Sequence, residues 1–245
     1  MSYIQAKKLI KQYGTGDAAV MAVGGMSFFI HLGEFVSVMG ESGSGKSTLL
    51  SMMGALNTPT SGEYSVDGLE VYKLGQDQRA DFRREFLGFV FQSFHLVPYL
   101  TVLENVMLPL VTIKTNGRTK RAMAEDALSR VGLDGKADRL PGHISGGEQE
   151  RVAIARAIVN EPPILLADEP SGNLDTKTTR EIMELFHSLN EEGMTIVMVT
   201  HSPECAGYAR RLLRISDGRL VEDIPLRTQE PAGRGGEITG ENENG

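Results

Sequence analysis

Residues 40–48 read Gly-Glu-Ser-Gly-Ser-Gly-Lys-Ser-Thr, a glycine and four residues before Gly-Lys and a hydroxyl. Glycines at 40, 43 and 45 let a backbone wrap a phosphate with its N–H groups, and the helix start that follows adds partial positive charge. Glu41, Ser42 and Ser44 fill the loop between them. At this spacing Lys46 reaches β- and γ-phosphates, the Ser47 hydroxyl suits Mg²⁺, and Thr48 adds a hydroxyl near the α-phosphate. The chemistry is nucleoside triphosphate binding. A second constellation is Ile164-Leu165-Leu166-Ala167-Asp168-Glu169, an apolar run ending in two carboxylates. Asp168 fits the metal side, through a bound water, and Glu169 fits the base that orients and deprotonates an attacking water. A third is Ser145-Gly146-Gly147-Glu148, which opens a helix. Its plain explanation is a capping box, with Ser145 at the N-cap and Glu148 three residues on. Two glycines in that first turn each cost about 1 kcal/mol relative to alanine, which a pure cap would not choose. They allow a phosphate to approach a second helix N-terminus, and with one phosphate site already present the pattern suggests a γ-phosphate supplied by another subunit.

These residues need elements to hold them. Short apolar runs at 34–40, 87–91, 162–168 and 194–200 alternate with helical patterns, the sign of a parallel sheet with helices on its faces. The phosphate loop then sits between the strand 34–40 and an apolar helix 47–56, and the two carboxylates end a buried strand at the carboxyl edge of the sheet. Asp217-Gly218 signals a hairpin at the edge of that sheet, and Asp67-Gly68 a second one. With residues 1–33 the latter predicts a small antiparallel layer. Residues 176–193 place Ile182, Met183, Leu185, Phe186 and Leu189 on one helical face, with Gly193 at the C-cap. Residues 93–158 break the alternation and predict an inserted helical subdomain, leaving a core of about 1–92 and 159–224. Residues 225–245, Gly- and Glu-rich, predict a disordered tail.

Composition narrows the class. The chain has 245 residues, with 25 Lys and Arg against 32 Asp and Glu, a net charge of −7. An acidic balance disfavours nucleic acid as the main partner. The single cysteine, Cys205, excludes a disulfide framework or a Cys-rich zinc site, and leaves that residue without a partner. The N-terminal residues lack a secretory h-region, and the uncharged run 18–33 is shorter than a spanning helix needs.

Taken together the motifs resemble those of the nucleotide-binding subunit of an ABC transporter, over about residues 3–224. Gly40–Thr48 stands at the Walker A motif, Gln92 at the Q-loop, Ile144–Gln149 at the signature, Leu165–Glu169 at Walker B, Ser171–Asp175 at the D-loop and His201 at the switch histidine. Tyr13 matches the aromatic that stacks on adenine, against the alternative of a core or edge-strand tyrosine. Ile144 replaces the usual leucine and Glu148 the first signature glutamine, and both leave Ser145, Gly146 and Gly147 intact. By themselves Gln92 is a surface glutamine and His201 an ordinary loop histidine; the resemblance makes Gln92 a Mg²⁺ ligand that senses the insert, and His201 a γ-phosphate contact. Phe89–Pro98, Glu104–Val106 and Leu166–Asp175 are similar to the lipoprotein-releasing (LolD-like) and macrolide-export (MacB-like) branch.

The resemblance implies an α/β P-loop NTPase core with a mainly parallel sheet, a small antiparallel β layer and an inserted helical subdomain. It implies ATP and Mg²⁺ as ligands, and a head-to-tail dimer with a second nucleotide-binding subunit, most simply a copy of itself. Each ATP would lie between Lys46, Ser47, Asp168 and Glu169 of one chain and Ser145–Gly147 of the other. Integral membrane permease subunits are the implied partners, with no nucleic acid, at the cytoplasmic face of the inner membrane. The work would be export or extraction of a lipoprotein, lipid, peptide or drug-like substrate. Phe94–Leu100 is then the groove for a permease helix, or else subdomain core. The rival readings are a soluble ABC-type ATPase outside transport and an ATP-binding regulatory module.

Overall fold

The structure, a computed structural model, describes residues 2–226. The chain runs β1 (Ser2–Tyr13), β2 (Val20–His31), β3 (Phe35–Met39), α1 (Lys46–Met53), β4 (Ser61–Val66), β5 (Leu69–Glu70), α2 (Gln76–Phe86) and β6 (Leu87–Val90). It continues through α3 (Val102–Met107), α4 (Gly117–Arg130), α5 (Gly146–Ile158), β7 (Ile164–Asp168), α6 (Thr176–Glu191), β8 (Thr195–Val199), α7 (Pro203–Ala206), β9 (Arg211–Ser216) and β10 (Arg219–Pro225).

Two sheets form. The larger has the order β10-β9-β3-β8-β7-β6, and every pair in it is parallel except the edge hairpin β9–β10. The smaller, β2-β1-β4-β5, is antiparallel, the layer expected from residues 1–33 and the Asp67-Gly68 turn. Both Asp-Gly turns place Asp and Gly at positive φ (48° and 76°, 48° and 73°), the geometry two-residue hairpins require. In β7 and β8 the residues Ile164–Ala167 and Thr195–Val199 are all buried, as strands covered on both faces must be. Their alternation sorts them into two cores. Ile164, Leu166, Val197 and Val199 pack with α1 and the antiparallel layer, while Leu165, Ala167, Ile196 and Met198 pack under the insert, α5 and α6.

On α6, Ile182, Met183, Phe186 and Leu189 are buried and Leu185 packs at the margin, as its periodicity predicts. The insert is helical in α3, α4 and α5, but the end of α5 lies against the core sheet. A Cβ on Gly88 of β6 would sit 2.3 Å from the Ala157 carbonyl oxygen. The helix α2 carries a single buried residue, Phe82, so periodicity gave no sign of it. At the other end β10 runs through Pro225, and the Leu226 N–H bonds the Arg210 carbonyl at 2.8 Å. Ordered chain therefore extends two residues into the expected tail; its remainder, 227–245, lies outside the described residues.

Candidate active site

The order of the large sheet assembles the site. Strands β3, β8, β7 and β6 are neighbours and parallel, so the chain leaves all four at one edge. The segments leaving them carry the phosphate loop, His201, Asp168-Glu169 and Gln92 respectively. A cleft of about 490 Å³ at this edge is lined by Ser42, Gly43, Gly45, Lys46, Ser47, Thr48, Gln92, Glu169 and His201. Gly40 and Glu41 line an adjoining hollow with His201 and Arg214.

The loop is shaped by its glycines. Gly45 has φ +100°, and a Cβ there would stand 2.1 Å from the Ala22 carbonyl oxygen, so no other residue fits without moving the β2 backbone. Gly45 is the N-cap of α1, and no side chain caps that helix. The ammonium of buried Lys46 donates to the carbonyls of Gly40 (2.8 Å) and Glu41 (2.7 Å), which anchors a full charge inside the loop. Ser44 is also buried, and its hydroxyl has no protein partner among the described residues. A buried, unpaired hydroxyl beside backbone N–H groups is a group a phosphate oxygen would satisfy.

The Ser47 hydroxyl donates to Asp168 Oδ1 at 3.2 Å, so the two expected metal-side groups meet across the sheet. Burial raises the Asp168 carboxyl above the ordinary aspartate value; the Ser47 hydrogen bond and Lys46 oppose this, and Glu169 adds to it. A half-buried carboxylate and a hydroxyl suit Mg²⁺, which keeps several waters and takes few protein oxygens. No cluster of three His, Cys, Asp or Glu that could hold a metal ion exists among the described residues.

Glu169 turns the chain out of β7 with φ 49°, a left-handed conformation that costs a non-glycine residue about 1 kcal/mol. Its N–H bonds the Val199 carbonyl at 2.9 Å, which holds that turn. Its Oε2 lies 3.0 Å from His201 Nδ1 and accepts from Gln92 Nε2 at 3.4 Å. Its Oε1 has no hydrogen-bond partner among the described residues. One oxygen is thus positioned by two polar side chains and the other left to accept a proton, the arrangement a general base needs. His201 is 68% exposed and Glu169 19%.

Two expected groups lie elsewhere. Ser145, Gly146 and Gly147 do not line the cleft. They start α5 with the expected capping box: Ser145 Oγ accepts from the Glu148 N–H at 3.2 Å, and Glu148 Oε2 accepts from the Ser145 N–H at 2.8 Å. The two glycines differ. A Cβ on Gly147 would sit 2.3 Å from Thr178 Cγ2 on α6, so packing explains this glycine. A Cβ on Gly146 would meet nothing closer than Leu174 Cδ2 at 3.8 Å, so packing leaves that one unexplained. Tyr13 is also absent from the cleft lining; it pairs across the sheet with Val20, which does line it. The Tyr13 hydroxyl accepts from Asn57, and the Lys11 ammonium stands 5.1 Å from its ring centre.

The sequence missed several contributors. Val20, Met21 and Ala22 of β2 form one wall of the cleft, and nothing in their types distinguishes them from other strand residues. Asn173 Nδ2 donates to the Gln92 carbonyl at 3.2 Å, tying the loop after β7 to the loop after β6. Cys205 is a free, buried thiol, as a lone cysteine must be, and its Sγ lies 3.2 Å from Ser171 Oγ.

Residues 23–172 match the family model described as ABC transporter. The chain belongs to the ABC transporter family. It is an ATP-binding subunit of the MacB/LolD type and an ATPase. It is 47% identical over 228 residues to a macrolide export ATP-binding/permease protein MacB of Rhodopirellula baltica, covering 91% of this chain and 33% of that protein. The chain therefore spans about a third of the MacB relatives' length. It spans 99% of an uncharacterised ABC transporter ATP-binding protein of Methanocaldococcus jannaschii, at 45% identity over 90% of this chain. The dimeric structure of a bacterial ABC transporter cassette superposes with a TM-score of 0.85 at 44% identity, covering 91% of this chain and 99% of that one. A dimeric post-hydrolysis cassette bound to ADP and phosphate gives 0.84 at 42% identity, with the same coverage.

Proposed function

We propose that two copies of this chain close head-to-tail on two ATP molecules and so drive a membrane permease that exports or extracts a lipoprotein, lipid, peptide or drug-like substrate. The observation that carries this reading is the separation inside one chain. Lys46, Ser47, Gln92, Glu169 and His201 line one cleft, while Ser145–Gly147 stand outside it at a second helix N-terminus. A second copy would bring that helix end to the γ-phosphate, which favours the closed dimer because ATP touches both faces only there.

Within the closed site, Lys46 holds the β- and γ-phosphates, and Gly40–Thr48 supply backbone N–H groups. Ser47, Asp168 and Gln92 would hold Mg²⁺, which supplies charge neutralisation on the phosphate oxygens. Glu169 Oε1 takes the proton of the attacking water, whose oxygen bonds the γ-phosphorus as the bond to the β–γ bridging oxygen breaks. His201 and Gln92 keep the carboxylate in place through Oε2, and His201 also faces the γ-phosphate. Tyr13 gives adenine a ring face beside Val20.

The permease groove is assigned to Phe94–Leu100. No residue of this segment is buried, and Tyr99 is 81% exposed, which favours a docking surface over subdomain core. Arg156 pins the segment from within, donating to the carbonyls of Phe94 and His95 at 2.7 Å each. This reading puts the chain at the cytoplasmic face of the membrane. Tagging the chain, extracting it gently from native membranes and identifying what accompanies it tests the reading. A co-purifying four-helix membrane protein with a large periplasmic domain is expected. A many-helix permease would overturn the branch, and purely soluble recovery would overturn the transport role.

A further inference from the structure

In a chain of net charge −7, the twenty residues from Asn105 to Ala124 contain Lys114, Arg118, Lys120 and Arg121 and no acidic residue. Three of these cations fall in the first turns of α4, at the positive end of the helix dipole, and its first turn holds no carboxylate. Cations there oppose the dipole, so helix stability does not explain them. Nor do ion pairs. Lys114 and Arg118 are exposed and have no carboxylate within reach among the described residues. Lys120 donates to the Val111 carbonyl at 3.3 Å, and only Arg121 is paired, with Glu125 at 2.7 Å. That Lys120 bond also draws the start of α4 against the preceding helical turn, where Val111 is 70% exposed and Leu108 38%. The nearest acids in sequence are Glu104, closed in a capping box with Thr101, and Glu125 and Asp126 a turn further along α4.

We propose that this face of the insert rests on an anionic phospholipid surface, with Lys114, Arg118, Lys120 and Arg121 on headgroup phosphates and Val111 and Leu108 at the acyl boundary. Charge complementarity selects an anionic partner. The exposed aliphatic pair beside the cations selects a bilayer over an acidic peptide, which would leave Val111 without a counterpart. Each cation near an acidic leaflet raises the bound fraction roughly fivefold, so one face holds weakly and two faces of a dimer hold well. The inference rests on the membrane-side reading above for its setting, and its test does not need the permease.

The experiment is flotation of the full chain with vesicles of phosphatidylcholine alone or with about 40% phosphatidylglycerol. Flotation with the acidic vesicles only, lost at high salt as screening predicts, is the expected result. The double variant Lys114→Gln/Arg118→Gln should lower the bound fraction about tenfold or more, and Val111→Ser severalfold, with ATP hydrolysis in solution unchanged as the control for folding. Equal flotation with neutral vesicles, no flotation of the parent, or a double variant that floats like the parent overturns the proposal. Tighter retention on poly-glutamate than on acidic vesicles at the same salt also overturns it, in favour of an acidic protein segment. Any of these with intact ATP hydrolysis leaves the ATPase reading standing.

Discussion

Among the described residues, two helix N-termini carry glycine beside a hydroxyl residue, and they are finished in opposite ways. At α1 no side chain caps the helix, and Gly45 opens it beneath a loop whose charge, Lys46, is already held inside. Around it the chain gathers Asp168, Glu169, His201 and Gln92. At α5 the chain completes the cap itself through Ser145 and Glu148, packs Gly147 against Thr178, and brings no catalytic group. The first end is left open around a charged loop, and the second is closed by its own cap outside the cleft; on the reading proposed above, the first surrounds a triphosphate and the second is presented to one. On that reading, a protein with only the first end would be a complete binding module, and one with both would be half of each of two sites.

The sharpest way to break this contrast is at Glu169. Changing Glu169→Gln should lower steady-state ATP turnover by about 10²–10⁴-fold while ATP binding and ATP-dependent dimerisation persist. Undiminished turnover would remove Glu169 from the role of base. The division between chains is tested by mixing. Lys46→Ala and Gly146→Asp should each be inactive, and equal mixing should restore activity to about a quarter of sites through random pairing of an isologous dimer. Failure to restore any activity, with heterodimers demonstrated, would put both halves of a site in one chain.

Smaller effects separate the two glycines. Gly147→Ala forces Thr178 aside and should destabilise the fold by about 1–3 kcal/mol, whereas Gly146→Ala should be neutral or stabilising in chemical denaturation. Similar losses at both positions would show that packing accounts for the whole motif.

Glu150, one turn further along α5, is 1% exposed with neither oxygen hydrogen-bonded among the described residues, and burial pushes its carboxyl up to about 8 against the attraction of Arg156. A carboxyl raised on folding stabilises fully below its unfolded value and loses that contribution as pH rises through the folded one. Stability should therefore fall between about pH 4.5 and 8, and Glu150→Gln should flatten that slope, with a gain of about 3 kcal/mol at pH 8 relative to pH 5. A parallel offset at both pH values would assign the effect to packing. The smallest effect expected is at Asn173, whose bond to the Gln92 carbonyl positions that loop. Asn173→Ala should reduce kcat severalfold with ATP affinity unchanged, and a change in affinity alone would contradict a positioning role.

Much of this was legible because the motifs are local. The phosphate loop needs a strand, a tight glycine turn and a helix within residues 34–56, and each announces itself by type and spacing. The same holds for the Ser145–Glu148 cap, whose two bonds span three residues. Phe186 and its neighbours on α6 were found because a 3.6-residue period marks a buried face. What failed was whatever depended on distant partners. The helix α2 buries only Phe82, too little to leave a period. The contact of the Cys205 thiol with Ser171, thirty-four residues away, was likewise made only by the fold.

Sequence alone determined the chemistry available to this protein: a triphosphate loop, a strand-end carboxylate pair and a glycine-bearing cap. Those depend on residue types a few positions apart, where chain geometry leaves little freedom. The tertiary structure decided which of them meet. The strand order β3-β8-β7-β6 carries Ser47 to Asp168 and Glu169 to both His201 and Gln92, contacts that span up to 121 residues. The same folding keeps Ser145–Gly147 out of the cleft and presses Gly147, not Gly146, against α6. Spacing along a chain fixes neighbours within a turn; which strands lie side by side is fixed by how two cores are buried on the two faces of one sheet.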